Sequence, residues 1–139
     1  MLILKKSICI NAPVALVWQA LTDPRQVKEY FFGTEISTDW KKGSLITYRG
    51  VWDGKPYEDK GHILDIENGK FIKYNYWSSF SGTEDKPENY ANIEYSLKED
   101  GGNTIFTVTQ DGFKDQDSLS HSESNWGVVM ENMKKLIEG

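Results

Sequence analysis

The chain has 139 residues and a formal net charge of −5, with no run of Lys or Arg longer than two, which argues against a nucleic-acid or anionic-membrane partner. Its single cysteine, Cys9, rules out an internal disulfide, and two histidines far apart in sequence leave no metal-ligand cluster, so neither metal nor cofactor is expected. The apolar start Met1 to Leu4 is too short for a signal peptide and no apolar run approaches the roughly 20 residues that span a bilayer, so the expectation is one cytoplasmic domain over residues 1–139.

Leu2 to Ile10 is strand-like and ends at Asn11-Ala12-Pro13, where proline suits the first turn of a helix. Val14, Val17, Trp18 and Leu21 follow helical spacing, and Thr22-Asp23-Pro24 stops that helix and starts another, with Asp23 as N-cap and Gln26 at the capping-box position. From Thr34 to Gln110 the pattern changes to strands near Glu35 to Thr38, Ser44 to Trp52, Asp59 to Glu67, Lys70 to Ser78, Ala91 to Lys98 and Thr104 to Gln110. Asp53-Gly54, Asn68-Gly69 and Asp100-Gly101 supply the positive φ of tight hairpins, so the strands form an antiparallel meander.

Alternation assigns the faces. Ala91, Ile93, Tyr95 and Leu97 share one side of their strand, as do Ile72, Tyr74 and Tyr76, Phe106 and Val108, and Ile46, Tyr48 and Trp52. Ile63 and Leu64 are both apolar, so a bulge could reverse the phase after His62. Ser79 to Tyr90 is polar and aperiodic, a loop or a pocket rim.

The last stretch is an amphipathic helix. Trp126, Val129, Met130, Met133 and Ile137 lie on one face, Ser120-His121-Ser122-Glu123 fits a capping box, and Gly139 suits a C-terminal cap. Followed backwards, the apolar stripe meets Ser122 and then Leu119; Ser122 either faces a cavity or lies in a solvent-facing first turn. A curved sheet with one wet face must cover the other, and this helix is the long amphipathic element available. The sheet therefore wraps around it, an α+β architecture.

INAPVALVWQALTDP with Phe31-Phe32, then DWKKGSLITYRGVWDG, YEDKGHILDIENGKFIKYNYW and GGNTIFTVTQDGF before a tryptophan-bearing final helix resemble the heat-shock-protein ATPase activator homologue family of the START-related (SRPBCC) superfamily. The resemblance covers nearly the whole chain and implies a helix-grip fold around an apolar cavity. It implies less about function: such proteins bind lipids, hormones or polyketides, some catalyse cyclisation or hydrolysis, and the additional domain of the eukaryotic co-chaperones has no room in 139 residues.

No catalytic residue is assigned. His62 and His121 read as surface groups, Cys9 as a buried inert thiol, and the acidic pairs Glu84-Asp85, Glu99-Asp100 and Asp115 with Asp117 as solvated turns. The aromatic residues say more. Tyr48, Trp52, Tyr74, Tyr76, Tyr95, Phe106 and Trp126 come from separate elements and should converge between sheet and helix, where buried tyrosine hydroxyls suit a cavity with a few polar groups. With Ser122 and the adaptable Met130 they form the expected binding set for a small hydrophobic or aromatic molecule, held without catalysis. A cyclase- or hydrolase-type enzyme using the same cavity, in which a tyrosine or His62 moves a proton, and a module that docks on a chaperone partner, are the alternatives.

Overall fold

The computed structural model describes residues 2–78 and 82–139. Strand β1 (Leu4–Ile10) is followed by helices α1 (Val14–Thr22) and α2 (Pro24–Tyr30), strands β2 (Glu35–Ser37), β3 (Leu45–Trp52), β4 (Lys55–Glu67), β5 (Phe71–Tyr76), β6 (Ala91–Asp100) and β7 (Asn103–Gln110), and helix α3 (Gln116–Glu138). All strands are antiparallel in one seven-stranded sheet of order β1-β7-β6-β5-β4-β3-β2. The chain starts at one edge, crosses to the other through α1 and α2, and meanders back until β7 pairs with β1. This is the helix-grip α+β arrangement, with α3 laid on the concave face.

Local chemistry explains the joints. Asp23 separates α1 from α2 by accepting the Arg25 amide at 3.0 Å, while Pro24 fits the first turn. Gln26 reaches the Asp23 carboxylate rather than its backbone amide, so the capping box is only half made. Asp53 and Gly54 both take positive φ, 52° and 74°, the two-residue turn that matches strand twist. That tight turn lets β4 begin at Lys55, ahead of the start that alternation suggests. In the β6–β7 hairpin the positive angles fall on Gly101 and Gly102, one residue later than expected.

The bulge anticipated after His62 is present between Ile63 and Asp65: Ile63 is buried, Leu64 points outward, and Ile66 returns to the inner face opposite Ile72. Just before it, Asn75 Oδ1 accepts the His62 amide at 2.6 Å, and a Cβ on Gly61 would stand 1.8 Å from the Asn75 carbonyl oxygen. Only a glycine admits that approach of strand to strand.

Helix α3 starts earlier than the Ser120–Glu123 box implied. Asp115 is the N-cap, its Oδ1 accepting the Ser118 amide at 2.8 Å, so the box lies inside the helix. Gly139 closes the other end with φ 91° and an amide bonded to the Lys135 carbonyl. Trp126, Val129, Met130 and Met133 are buried against the sheet. Along the edge strand, Lys134 Nζ donates to the Cys9 carbonyl at 2.8 Å and Glu138 accepts the Asn11 amide at 2.8 Å. Cys9 itself is exposed, a correction to the buried thiol expected: Leu4 and Ile10 are buried, and the intervening odd-numbered side chains, Cys9 among them, project away. Gly127 faces Lys6, whose Cε would be 3.4 Å from an added Cβ.

These two glycines should therefore respond in opposite ways. Gly61→Ala should lose about 3 kcal/mol or more, because the strands must part, whereas Gly127→Ala should be neutral or gain up to about 1 kcal/mol of helix propensity, since the Lys6 tip can swing aside. Urea midpoints of the two variants check this; comparable losses in both would show that the β4–β5 approach is not a constraint.

Candidate functional site

The inner face of the sheet is lined by rings that meet α3 edge-on. Tyr74 and Tyr95 contact at 5.3 Å between centroids, Tyr95 meets Phe106 at 5.5 Å and Trp126 at 5.8 Å, and Tyr48 joins Tyr74 at 6.2 Å and Tyr76 at 5.6 Å. All but the tilted Tyr48–Tyr74 pair are near-perpendicular, which places positive ring edges on negative faces. Trp126 also touches Phe31 at the end of α2 and donates its indole N–H to Gln110 Oε1 at 2.9 Å. Five of the residues expected from sequence, Tyr48, Tyr74, Tyr95, Phe106 and Trp126, thus lie in one seam, with Tyr76 at its end, whereas Met130 is buried on α3 on the side toward β1. Ser122 is half-buried one turn before Trp126 on the same helical face.

Trp52 does not belong to that seam. It is on the inner side of β3 by alternation, but the strand runs past the helices, leaving it 58% exposed and packed edge-on against Phe32 at 5.9 Å. Phe32 is itself exposed and held at φ 53°, a left-handed angle uncommon for a bulky residue, and Phe31 and Phe32 bridge Trp52 to Trp126.

The space between sheet and helices is small. An internal void of about 10 Å3 sits among Phe31, Trp40, Tyr48, Ile72, Tyr74 and Tyr95, room for about one water. The larger hollow, about 540 Å3, is an open trough on the far side of α3, walled by Lys6, Ser7, Gly127, Val128 and Asn132, away from the tyrosines.

Polar groups are nonetheless concentrated on the inner face. Tyr74 donates to the Tyr95 hydroxyl at 2.7 Å, the Tyr57 and Thr34 hydroxyls share a bond at 2.6 Å, and Tyr76 donates to Asp59 Oδ2. Asp59, buried at 6% exposure, was not singled out by the sequence, where it looks like any strand-end acid. The signal was its phase with the inward Ile63, hidden by the bulge that follows. Gly50 makes room for Tyr57: a Cβ there would be 2.6 Å from the Tyr57 hydroxyl. Burial holds the phenols of Tyr48, Tyr74 and Tyr95 above their ordinary pKa; at Tyr76 burial does the same, reinforced by the Asp59 carboxylate. His62 and His121 are exposed. Among the described residues no three His, Cys, Asp or Glu side chains are grouped to hold a metal, and no helix is long and apolar enough to cross a membrane.

Comparison with known proteins gives this geometry a setting. Residues 11–138 match the family described as Activator of Hsp90 ATPase homolog 1-like protein. The solution structure of ChR145 from Cytophaga hutchinsonii is 40% identical, with a TM-score of 0.86 over 99% of this chain and 94% of that one. The Aha1 dimer from Colwellia psychrerythraea is similar at 20% identity and a TM-score of 0.78, over 99% and 97% of the two chains. CalU16 from Micromonospora echinospora is similar at 22% and 0.72, over 97% and 74%. The last two likenesses show the fold alone. No curated protein sequence matches the chain.

The buried phenols make a pH prediction. A group whose folded pKa is raised contributes stability that is fully present below its unfolded value, about 10 for tyrosine, and lost as pH climbs toward the folded value. Urea midpoints should therefore fall from about pH 10 upward, and less steeply in Tyr74→Phe than in the parent. Identical slopes in the two proteins would show that Tyr74 is not a desolvated phenol.

Proposed function

The chain belongs to the Activator of Hsp90 ATPase homolog 1-like family, and on that premise we propose that it binds a small hydrophobic or aromatic molecule between sheet and α3 without transforming it. The observation that carries this reading is the make-up of the wall. A core whose sole task is to be solid would use Phe or Leu, because each buried hydroxyl must be supplied with a partner; here Tyr48, Tyr74, Tyr76 and Tyr95 line one continuous seam. The seam is closed by the chain's own rings. A guest enters by displacing Phe31, which lines the void, and the exposed Phe32 beside it, whose φ of 53° turns the chain away from α2. Removing Phe31 from Trp126 would join the void to the surface beside Trp52.

Burial of the guest at roughly 25 cal/mol per Å2 of apolar surface drives binding, and the tyrosine hydroxyls orient it. For the cyclase or hydrolase alternative, His62 lies on the outer side of β4, which leaves the inward tyrosines as its proton carriers. The chaperone-docking alternative does have its own observation: Phe32 and Trp52, at 42% and 58% exposure and packed edge-on, form a small apolar patch at one end of the sheet. Under that reading Trp52→Ala abolishes capture of the chaperone and spares small-molecule uptake.

Native mass spectrometry of protein taken from its own cells should show a retained small molecule. With 1-naphthalenemethanol as probe, Trp126→Ala should cost about 3–5 kcal/mol of stability and eliminate uptake, whereas Tyr95→Phe should cost only about 1 kcal/mol and still weaken binding. If affinity merely tracked stability across the two variants, or if the parent protein bound nothing, the seam would be a core and no more.

A further inference from the structure

The void of about 10 Å3 holds roughly one water, so a guest is admitted only when part of the wall moves out. How each residue is held decides which part moves. Among the described residues that line the void, the aliphatic side chains and the tyrosines stand in helices or strands, and Phe31 closes α2 with its amide on the Val27 carbonyl at 2.8 Å. Trp40 stands in the connection between β2 and β3, half-buried, and belongs to none of the ring pairs of the seam. Its φ is 59°, a left-handed angle that glycine adopts freely and a bulky residue only at a cost. The connection is pinned just after it: Asp39 Oδ1 accepts the Lys41 amide at 3.1 Å, and the Gly43 amide donates to the Ile63 carbonyl at 2.7 Å. The Trp40 amide itself makes only a long bond, 3.4 Å to Thr38 Oγ1. The torsion that carries the strain is therefore the weakly held one, and the energy released as it relaxes offsets part of the burial lost when the indole leaves.

Resting on the binding reading above, we propose that Trp40 is an internal stand-in for the guest: its indole occupies the guest's place, and uptake is an exchange in which a planar, fused-ring aromatic of similar size takes that position while Trp40 turns out to solvent. The walls fit such a molecule. Val27, Ile36, Ile46 and Ile72 supply an apolar lining, and the hydroxyls of Tyr74 and Tyr95 lie beside it for a polar substituent. A side chain tethered in this way lowers the apparent affinity of a free guest by the fraction of time that it leaves the site vacant. Loss of the indole should thus strengthen binding, the reverse of what loss of an ordinary contact residue does.

The full chain made with 5-fluorotryptophan gives one fluorine resonance for each of its five tryptophans, and Trp40→Phe identifies that of Trp40. On saturation with 1-naphthalenemethanol the Trp40 resonance should take on the shift between light and heavy water that marks an exposed indole, while that of Trp126 keeps its protected value. Trp40→Gly, which suits the left-handed angle, should bind the same probe about tenfold or more tighter than the parent and should bind indole itself. A Trp40 resonance that stays protected in the saturated parent, or an affinity in folded Trp40→Gly no higher than the parent's, overturns the exchange and leaves the binding reading standing. If Trp40→Gly does not fold, the resonance in the parent decides alone. A parent protein that does not bind the probe overturns both.

Discussion

Trp126 is the contact on which the rest of the molecule depends. Its indole touches Tyr95 on the sheet and Phe31 at the end of α2 while its N–H is fixed by Gln110 on β7, so one side chain sets the position of α3 against three separate elements. The polar handle and the large apolar body act together. A phenylalanine could fill the space but could not satisfy Gln110, whose amide points into an apolar setting. Helix, sheet and the α1–α2 arm are registered to one another through this residue, and the ring seam inherits its geometry from that registration.

The seam is a compromise between packing and polarity. Edge-to-face rings leave small irregular gaps where stacked aliphatic chains would close them, and the void of about 10 Å3 is one of these. Tyrosine hydroxyls paired with one another, with Thr34 and with Asp59 satisfy these polar atoms within the wall itself. Under the binding proposed above, the same groups would change partners on uptake of a guest, which a wall of aliphatic side chains could not do. Closure by Phe31 and Phe32 requires no distant rearrangement, because both lie in the turn that ends α2.

Much of this was legible in the sequence because periodicity and burial coincide in it. The helical spacing of Trp126, Val129, Met130 and Met133, the alternation through Tyr74 and Tyr95, and the Asp-Gly hairpin at Asp53 are local signals of global facts. What was missed depends on where one element ends relative to another. Trp52 obeys the inward alternation of β3 yet projects beyond the helices, and no pattern within a strand reports how far its cover extends. Asp59 was hidden by the bulge between Ile63 and Asp65, which breaks the phase that would have shown it facing inward. The start of α3 was misplaced because Ser120–Glu123 and Asp115–Ser118 both read as caps, and only the turn after Phe113 selects between them.

The tie between Lys134 and the Cys9 carbonyl bears on how this protein behaves when crowded. β1 is an outer strand of the sheet, and its outward amides and carbonyls would otherwise be a template on which another molecule's strand could be laid. A lysine ammonium planted on one of those carbonyls, with Glu138 holding the Asn11 amide just beyond, puts charge and a helix terminus in the path of any incoming backbone. The grip of the last helix thus also guards against strand-by-strand aggregation, a duty borne by its final turn rather than by the apolar stripe that fills the interior.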